Sequence, residues 1–237
     1  MPSARLTLCA LALLLSGCAG VQDASDPTTT TVIPDRPVIQ PGQPGEANAT
    51  HTGPIVVPVE QDNEADARFM AEMIVHHAQA LEMVERSREG LGDAQVTALA
   101  QRIESAQGPE VQAMAAWLVA HDRPVPKEAV AAGVDVEAMG GEVARAVEAG
   151  GHGHGHAGMP GMATPAELEQ LSAARGQEAD LLFLELMTRH HEGALEMAAA
   201  HGAEGSDVQA LEMSTEMHVE QTVEIERMAD LRERVGR

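Results

Sequence analysis

The sequence predicts an all-α protein: an antiparallel four-helix bundle built from two duplicated helical hairpins. Apolar residues recur at helical spacing through two long stretches, and the second stretch repeats the first at a constant offset of 114 residues without gaps. Two hairpins of equal length related by duplication pack most simply as such a bundle.

Composition sets the character of the core and excludes some partners. Of 237 residues, 44% are hydrophobic but only 1% aromatic: Phe69, Phe183 and Trp117, with no tyrosine. The core must therefore be aliphatic and rich in methionine, of which there are 13. A formal net charge of −22 argues against nucleic acid, whose phosphates need Lys and Arg, and against docking on an anionic membrane through a basic patch. The same charge attracts cations.

The N-terminus, "MPSARLTLCALALLLSGCAG", has basic Arg5, an apolar run from Leu6 to Leu15, and small residues ending at Cys18. That is the layout of a secretory signal, here 1–17, too short to span a bilayer comfortably. "LSGC" resembles the lipobox of bacterial lipoproteins, which implies cleavage before Cys18, a lipid on its sulfur, and a lipid-anchored extracytoplasmic protein. Cys9 would leave with the signal, so the mature chain would have no disulfide and would depend on packing. Residues 18–60, rich in Thr, Pro and Gly, are expected to form a disordered tether, with His51 incidental.

The duplicated domain is expected over 61–237. Asn63 is the expected N-cap of the first helix, with Phe69, Met73, Ile74, Ala80, Leu81 and Val84 on its apolar face. "EGLGD" (89–93) breaks it, and a second helix runs from about Ala94 to His121 with Leu99, Ile103, Val111, Met114 and Leu118 inward. "DRPVPKE" closes that hairpin. The segment 127–175 is less regular: a helix is expected around Val134–Val147, then a flexible loop, "GGHGHGHAGMPGM" (150–162). "TPAELEQL" starts a helix with Thr164 as N-cap, Pro165 at the first position and Glu167 at the third. The last hairpin comprises Glu178–Ala200, a break at "HGAEGSD", and Asp207–Val235.

The repeat doubles a chemistry-bearing motif. Phe69 matches Phe183, Met73 matches Met187, His76-His77 match His190-His191, and Met83 matches Met197. On the second helices, Gln107, Glu110 and Met114 match Gln221, Glu224 and Met228. At about 100° per residue, and with Met73 as zero, His77 lies near +40° and His76 near −60°. Both histidines thus flank the core-facing seam, while Glu82 points to water. Imidazole binds borderline metals and thioether selects soft ones, so a His/Met set points to copper, Cu(I) over Cu(II). Bundle cores are where such folds build metal sites, with Gln107, Glu110, Gln221 and Glu224 placed as ligands or as orienters of the imidazoles. A His–Glu or His–Gln polar layer would satisfy the same histidines without metal. His152, His154, His156, Met159 and Met162 in the loop form a second His/Met tract suited to delivering copper or to weaker binding. Met114, Met213, Met217 and Met228 read as core packing, and His121, His201 and His218 as isolated.

"FMAEMIVHHAQALEMV" and "FLELMTRHHEGALEMA", each followed by a Gln-x-x-Glu-[Val/Ile]-x-x-Met helix, resemble the family catalogued as domain of unknown function 305. The resemblance covers about 62–121 and 160–235. It implies a ferritin-like four-helix bundle, copper binding as in some secreted members, and a functional site at Met73, His76, His77, Met83, Met187, His190, His191 and Met197. Members often carry proline just before the His pair, where this chain has Val75 and Arg189.

The leading expectation is a copper-binding protein, not an enzyme, that buffers, sequesters or hands over the metal, with the membrane (through the lipid on Cys18) and a copper-handling protein as partners. The alternative is a metal-free adaptor bundle with a polar histidine core. A metal-dependent oxidase ranks last: di-iron bundles use Glu-x-x-His on inward faces, which the sequence lacks. It also lacks Gly-x-Ser-x-Gly and a phosphate loop.

Overall fold

The computed structural model describes residues 29–43, 45–58, 61–144 and 158–237. The expected signal and Cys18 lie outside the described residues. The chain divides into two units, Met1–Val59 and Glu60–Arg237.

In the first unit, β1 (Thr29–Val32) pairs antiparallel with β4 (Ile55–Pro58), and β2 (Val38–Gln40) pairs antiparallel with β3 (Ala49–His51). A disordered tether is the expectation from composition for 18–60, and the described residues there pair as short strands. Thr-, Val- and Ile-rich runs favour extended backbone, and the Pro and Gly between them turn the chain back. Val32, Ile33, Val38, Ile39 and Val56 remain exposed, so these strands bury little to hold them.

The second unit is an antiparallel helical bundle. α1 (Glu64–Ser87) starts as expected: the Asn63 side chain accepts the Ala65 and Asp66 N–H groups, and the Asp66 carboxylate accepts the Asn63 N–H at 2.8 Å. Such a reciprocal cap contributes about 1 kcal/mol. α2 (Ala94–Ala120) is capped by Asp93 and continues through Pro109, which forfeits one ladder hydrogen bond. α3 (Lys127–Ala131) is short. α4 (Pro165–Ala173) has Thr164 and Glu167 capping each other, as its sequence implied. α5 (Gln177–Glu204) and α6 (Val208–Val235), the latter capped by Asp207, form the second hairpin.

Two expectations are corrected. No helix forms over 134–144, because Gly133 and Gly140 take positive φ of 91° and 77°. Val134 and Val136 instead plug the core singly, and Val125 bridges to Val143. Residues 145–147 of that expected helix lie outside the described residues. The break after α5 is also shorter than 201–207, so His201 is the buried inner face of the helix's last turn.

α1 and α5 cross the middle of the bundle antiparallel, since Phe69 stacks on His201 at 4.3 Å while His76 meets His190 at 3.7 Å. The apolar interior falls into two clusters. One holds Phe69, Met73, Ile74, Val111, Met114, Trp117, Ala194, Met197 and Met217. The other holds Ala80, Met83, Leu99, Ile103, Phe183, Met187, Met228 and Leu231. Every long helix passes from one cluster to the other, and a buried polar residue marks each crossing: His76-His77 on α1, Gln107 on α2, His190-His191 on α5 and Gln221 on α6. Among the described residues no helix is long and apolar enough to cross a membrane.

Candidate functional site

The polar layer is built twice by the same local rules. On α1, His77 is fully buried and its Nε2–H donates to Glu110 Oε2 of α2 at 2.8 Å. On α5, His191 is equally buried and its Nε2–H donates to Glu224 Oε2 of α6 at 2.7 Å. Each glutamate reaches its ring from the partner helix of the same hairpin, and its carboxylate fixes the ring tautomer. The lone pair is thereby left on Nδ1, and neither His77 Nδ1 nor His191 Nδ1 has a partner among the described residues.

The other two histidines differ. His76 Nε2–H donates to the Pro160 carbonyl at 3.0 Å, whereas among the described residues neither ring nitrogen of His190 makes a hydrogen bond of good geometry. The Oε1 atoms of Gln107 and Gln221 are likewise buried and unpartnered. Six unsatisfied polar atoms thus gather in one layer, on His77, His190 (two), His191, Gln107 and Gln221. Each would cost about 1–3 kcal/mol if it stayed so.

Burial pushes His76 down to about 3, with the neighbouring His77 and His191 adding to the effect and the Pro160 carbonyl opposing it. Burial likewise holds His190 well below its ordinary value, helped by His76. Both rings are therefore neutral at pH 7, the form that coordinates metal.

A short segment covers this layer. Residues 158–163 cross α1 and α5, and the Gln79 side chain clamps Ala163, accepting its N–H at 2.6 Å and donating to its carbonyl at 2.9 Å. At the matching position on α5 stands Gly193, where a Cβ would come within 2.1 Å of the Pro160 carbonyl oxygen. The described end of the expected flexible loop is thus a fitted cover. Arg189, in the place before the His pair, forks onto Glu167 at 2.7 and 2.8 Å and ties α4 to α5. That guanidinium brings the Glu167 carboxyl down to about 2, against the opposing effect of burial.

The candidate ligands do not all converge. His76 and His190 meet face on, tilted by 36°. Lone pairs lie in the ring planes, so stacked rings do not aim at one point, and among the described residues no three His, Cys, Asp or Glu side chains form a ready cage. The thioethers flank the layer, Met73 and Met197 in one apolar cluster, Met83 and Met187 in the other. Met159 packs against the first cluster, and Met162 lies beside Val75 and Gln79 on the outer side of α1. His152, His154 and His156 fall outside the described residues. Met114, Met217 and Met228 are buried as read, Met213 is partly so, and His218 is exposed.

Two histidines read as isolated are engaged. His121 stacks on Trp117 at 3.9 Å, and Trp117 Nε1–H donates to Asp207 at 2.9 Å. His201 Nε2–H donates to buried Asp66 at 2.8 Å. The signal for the latter lay in the repeat: Asp66 and Asp180 stand at the same offset as the His pairs.

Fold and site together define a duplicated helical bundle with a buried, capped layer of imidazoles. A family model described as domain of unknown function (DUF305) matches residues 66–232, and the chain belongs to that family. Among solved structures, a DUF305 protein from Streptomyces coelicolor, inferred to be secreted, is 32% identical at a TM-score of 0.58, covering 73% of this chain and 92% of its own. A DUF305 fragment from Deinococcus radiodurans is 26% identical at a TM-score of 0.57, with 73% and 98% covered. CopM in a Cu(II)-bound form is 22% identical at a TM-score of 0.53, with 71% and 96% covered, and a Cu(I)-bound form of CopM also matches, at 21% and 0.51. At that identity the likeness to CopM concerns the fold. No curated protein matches the chain.

Proposed function

We propose that this protein binds copper in the histidine layer and serves to buffer, sequester or hand over the metal. The observation that carries the reading is the gathering of six buried, unpartnered polar atoms into one layer, including Nδ1 atoms whose lone pairs Glu110 and Glu224 hold free. His76, His77, His190 and His191 supply the first donors, and Met73, Met83, Met187 and Met197 supply soft ones on either side. Imidazole with thioether favours copper, and Cu(I) above Cu(II). A structural neighbour solved in Cu(II)- and Cu(I)-bound forms is consistent with that choice. Stacked rings must rotate to admit an ion, which suits exchangeable binding more than a permanent cage. The loop histidines His152, His154 and His156 are a natural first contact for incoming metal. The signal-like N-terminus and lipobox support a place outside the cytoplasm, anchored through lipid on Cys18, with a copper-handling protein and not nucleic acid as partner.

A second reading has its own observation. The His77–Glu110 and His191–Glu224 pairs already satisfy half of each imidazole, as a metal-free adaptor bundle would. Titration of the mature domain with Cu(I) under reducing conditions separates the two. The companion variant carries His76, His77, His190 and His191 as Ala, with helicity checked by circular dichroism. Stoichiometric binding that raises the melting temperature only when the histidines are present supports the copper reading. Equal binding by the variant, or none by either protein, removes it.

A further inference from the structure

The duplication supplies an internal control at the two ends of the bundle. Asp180 accepts the Gly92 and Asp93 N–H groups at 3.0 Å each, and Asp66 accepts those of Ser206 and Asp207 at 3.1 Å. These tasks match residue for residue, yet only the second end has a histidine. His201 stands where the first end has Ser87, and Gly205 stands where it has Leu91. The capping task therefore does not require His201.

The second end is nevertheless shaped around that ring. His201 is 3% exposed, stacks on Phe69 at 4.3 Å and donates from Nε2 to Asp66 Oδ1 at 2.8 Å. A Cβ at position 205 would lie 2.5 Å from His201 Nε2 and 2.7 Å from Asp66 Oδ1, so glycine there lets the helix end close over the pair. With Nε2–H committed to Asp66, the lone pair sits on Nδ1, which is buried without a partner among the described residues. His201 and Met197, one turn apart on α5, both line a cavity of about 150 Å³ that Glu72 and Glu196 also border. Met197 is 9% exposed, while Met73, Met83 and Met187 are fully buried, so it is the methionine of the four that keeps some surface. Arg68 lines the cavity too, with its guanidinium on Glu204 at 2.7 Å.

We propose that this cavity is a second metal position, separate from the histidine layer, where His201 Nδ1 and the Met197 thioether hold one soft or borderline ion of the copper class. A carboxylate behind a ligating imidazole, as Asp66 stands behind His201, orients the ring and raises its basicity. The proposal shares copper chemistry with the function above and none of its histidines, and it assigns Met197 to this second position, leaving Met73, Met83 and Met187 as the thioethers beside the layer.

The test is a stepwise Cu(I) titration of the ¹⁵N-labelled mature protein, read by long-range ¹H–¹⁵N spectra of the histidine rings, in wild type and in Met197→Leu. The expected result is a His201 Nδ1 signal that shifts and saturates, with half-saturation in Met197→Leu at a concentration roughly tenfold higher or more. A still His201 with moving His76, His77, His190 and His191 rings overturns this site and leaves the histidine layer. A moving His201 with still layer rings does the reverse. No moving ring removes both, and a His201 shift indifferent to Met197→Leu overturns the proposal by taking the thioether out of it.

Discussion

Asp66 on α1 and Asp180 on α5 are crossed latches: each accepts the backbone N–H groups that open the other hairpin's second helix. Asp93 and Asp207 are the N-caps that meet the first-turn donors of α2 and α6. A buried carboxylate from the opposite hairpin in turn meets the N–H groups of each cap and of the residue before it. The latches tie the two duplicated halves into one unit at both ends. Burial raises the Asp66 carboxyl, but hydrogen bonds from Asn63, His201, Asp207 and Ser206 outweigh it and hold the group below its ordinary value.

Asp180→Asn and Asp66→Asn should each destabilise the bundle, because an amide turns one acceptor into a donor facing N–H groups. The expected loss is about 2 kcal/mol for Asp180→Asn and more for Asp66→Asn, whose carboxylate also accepts the His201 N–H and would lose its charge there. Urea unfolding at pH 7 measures both. Losses under about 0.5 kcal/mol would mean that the latches are incidental.

Acid should weaken the fold well before the carboxylates titrate. Folded His76 stays neutral down to about 3, whereas the unfolded ring takes a proton near 6.5. Between those values the unfolded state binds more protons, so stability falls as pH drops, by up to about 1.4 kcal/mol per pH unit for this ring. His190 acts in the same direction, and Asp66 adds to the loss only below its ordinary 3.8. Urea midpoints at pH 7.5, 6, 5 and 4.5 give the slope, and His76→Gln should flatten it. A pH-independent midpoint from 7.5 to 4.5 would contradict the buried, neutral rings.

Much of this arrangement was legible in the sequence, for reasons that also explain what was not. Asn63, Thr164 and Glu167 announced helix starts because capping is local, a matter of three residues. The apolar face of α1 and the inward histidines followed from one helical period, and the hairpins from one repeat offset. Val134 and Val136 misled because helical spacing there is overruled by Gly133, Gly140 and burial against distant residues. Asp66 carries no local signal because an acid in a first turn is commonplace on a surface, and only tertiary contact with Ser206 and Asp207 makes it a latch. The cover over the layer needed Gly193 and Pro160 together, which no local pattern joins.

Gly193→Ala tests that cover. The added methyl would meet the Pro160 carbonyl oxygen at 2.1 Å and adjoining backbone within 3 Å, so residues 158–163 must shift off α5. The expected cost is about 1–3 kcal/mol, with faster amide exchange at Ala163 than in wild type. The Gln79 clamp on Ala163 is the readout, because global unfolding alone would speed exchange everywhere. Unchanged exchange at Ala163 would show that the segment accommodates the methyl without leaving the layer.

Glu110→Gln and Glu224→Gln separate the two readings of the histidine layer. Each glutamate is about one-fifth exposed while its histidine is fully buried, so charge enters the layer through these carboxylates alone among the contacts of His77 and His191. Glutamine can still accept the ring N–H and keep the tautomer, but it no longer sets a negative charge behind the ring. If Nδ1 is a copper ligand, affinity should fall by roughly 10- to 100-fold, with metal-free stability changed by only about 1 kcal/mol. If the glutamates merely satisfy a polar core, copper affinity should not move and the whole effect should appear in stability. The competition constant for Cu(I) and the urea midpoint, taken on the same variants, decide between a ligand-tuning carboxylate and a structural one.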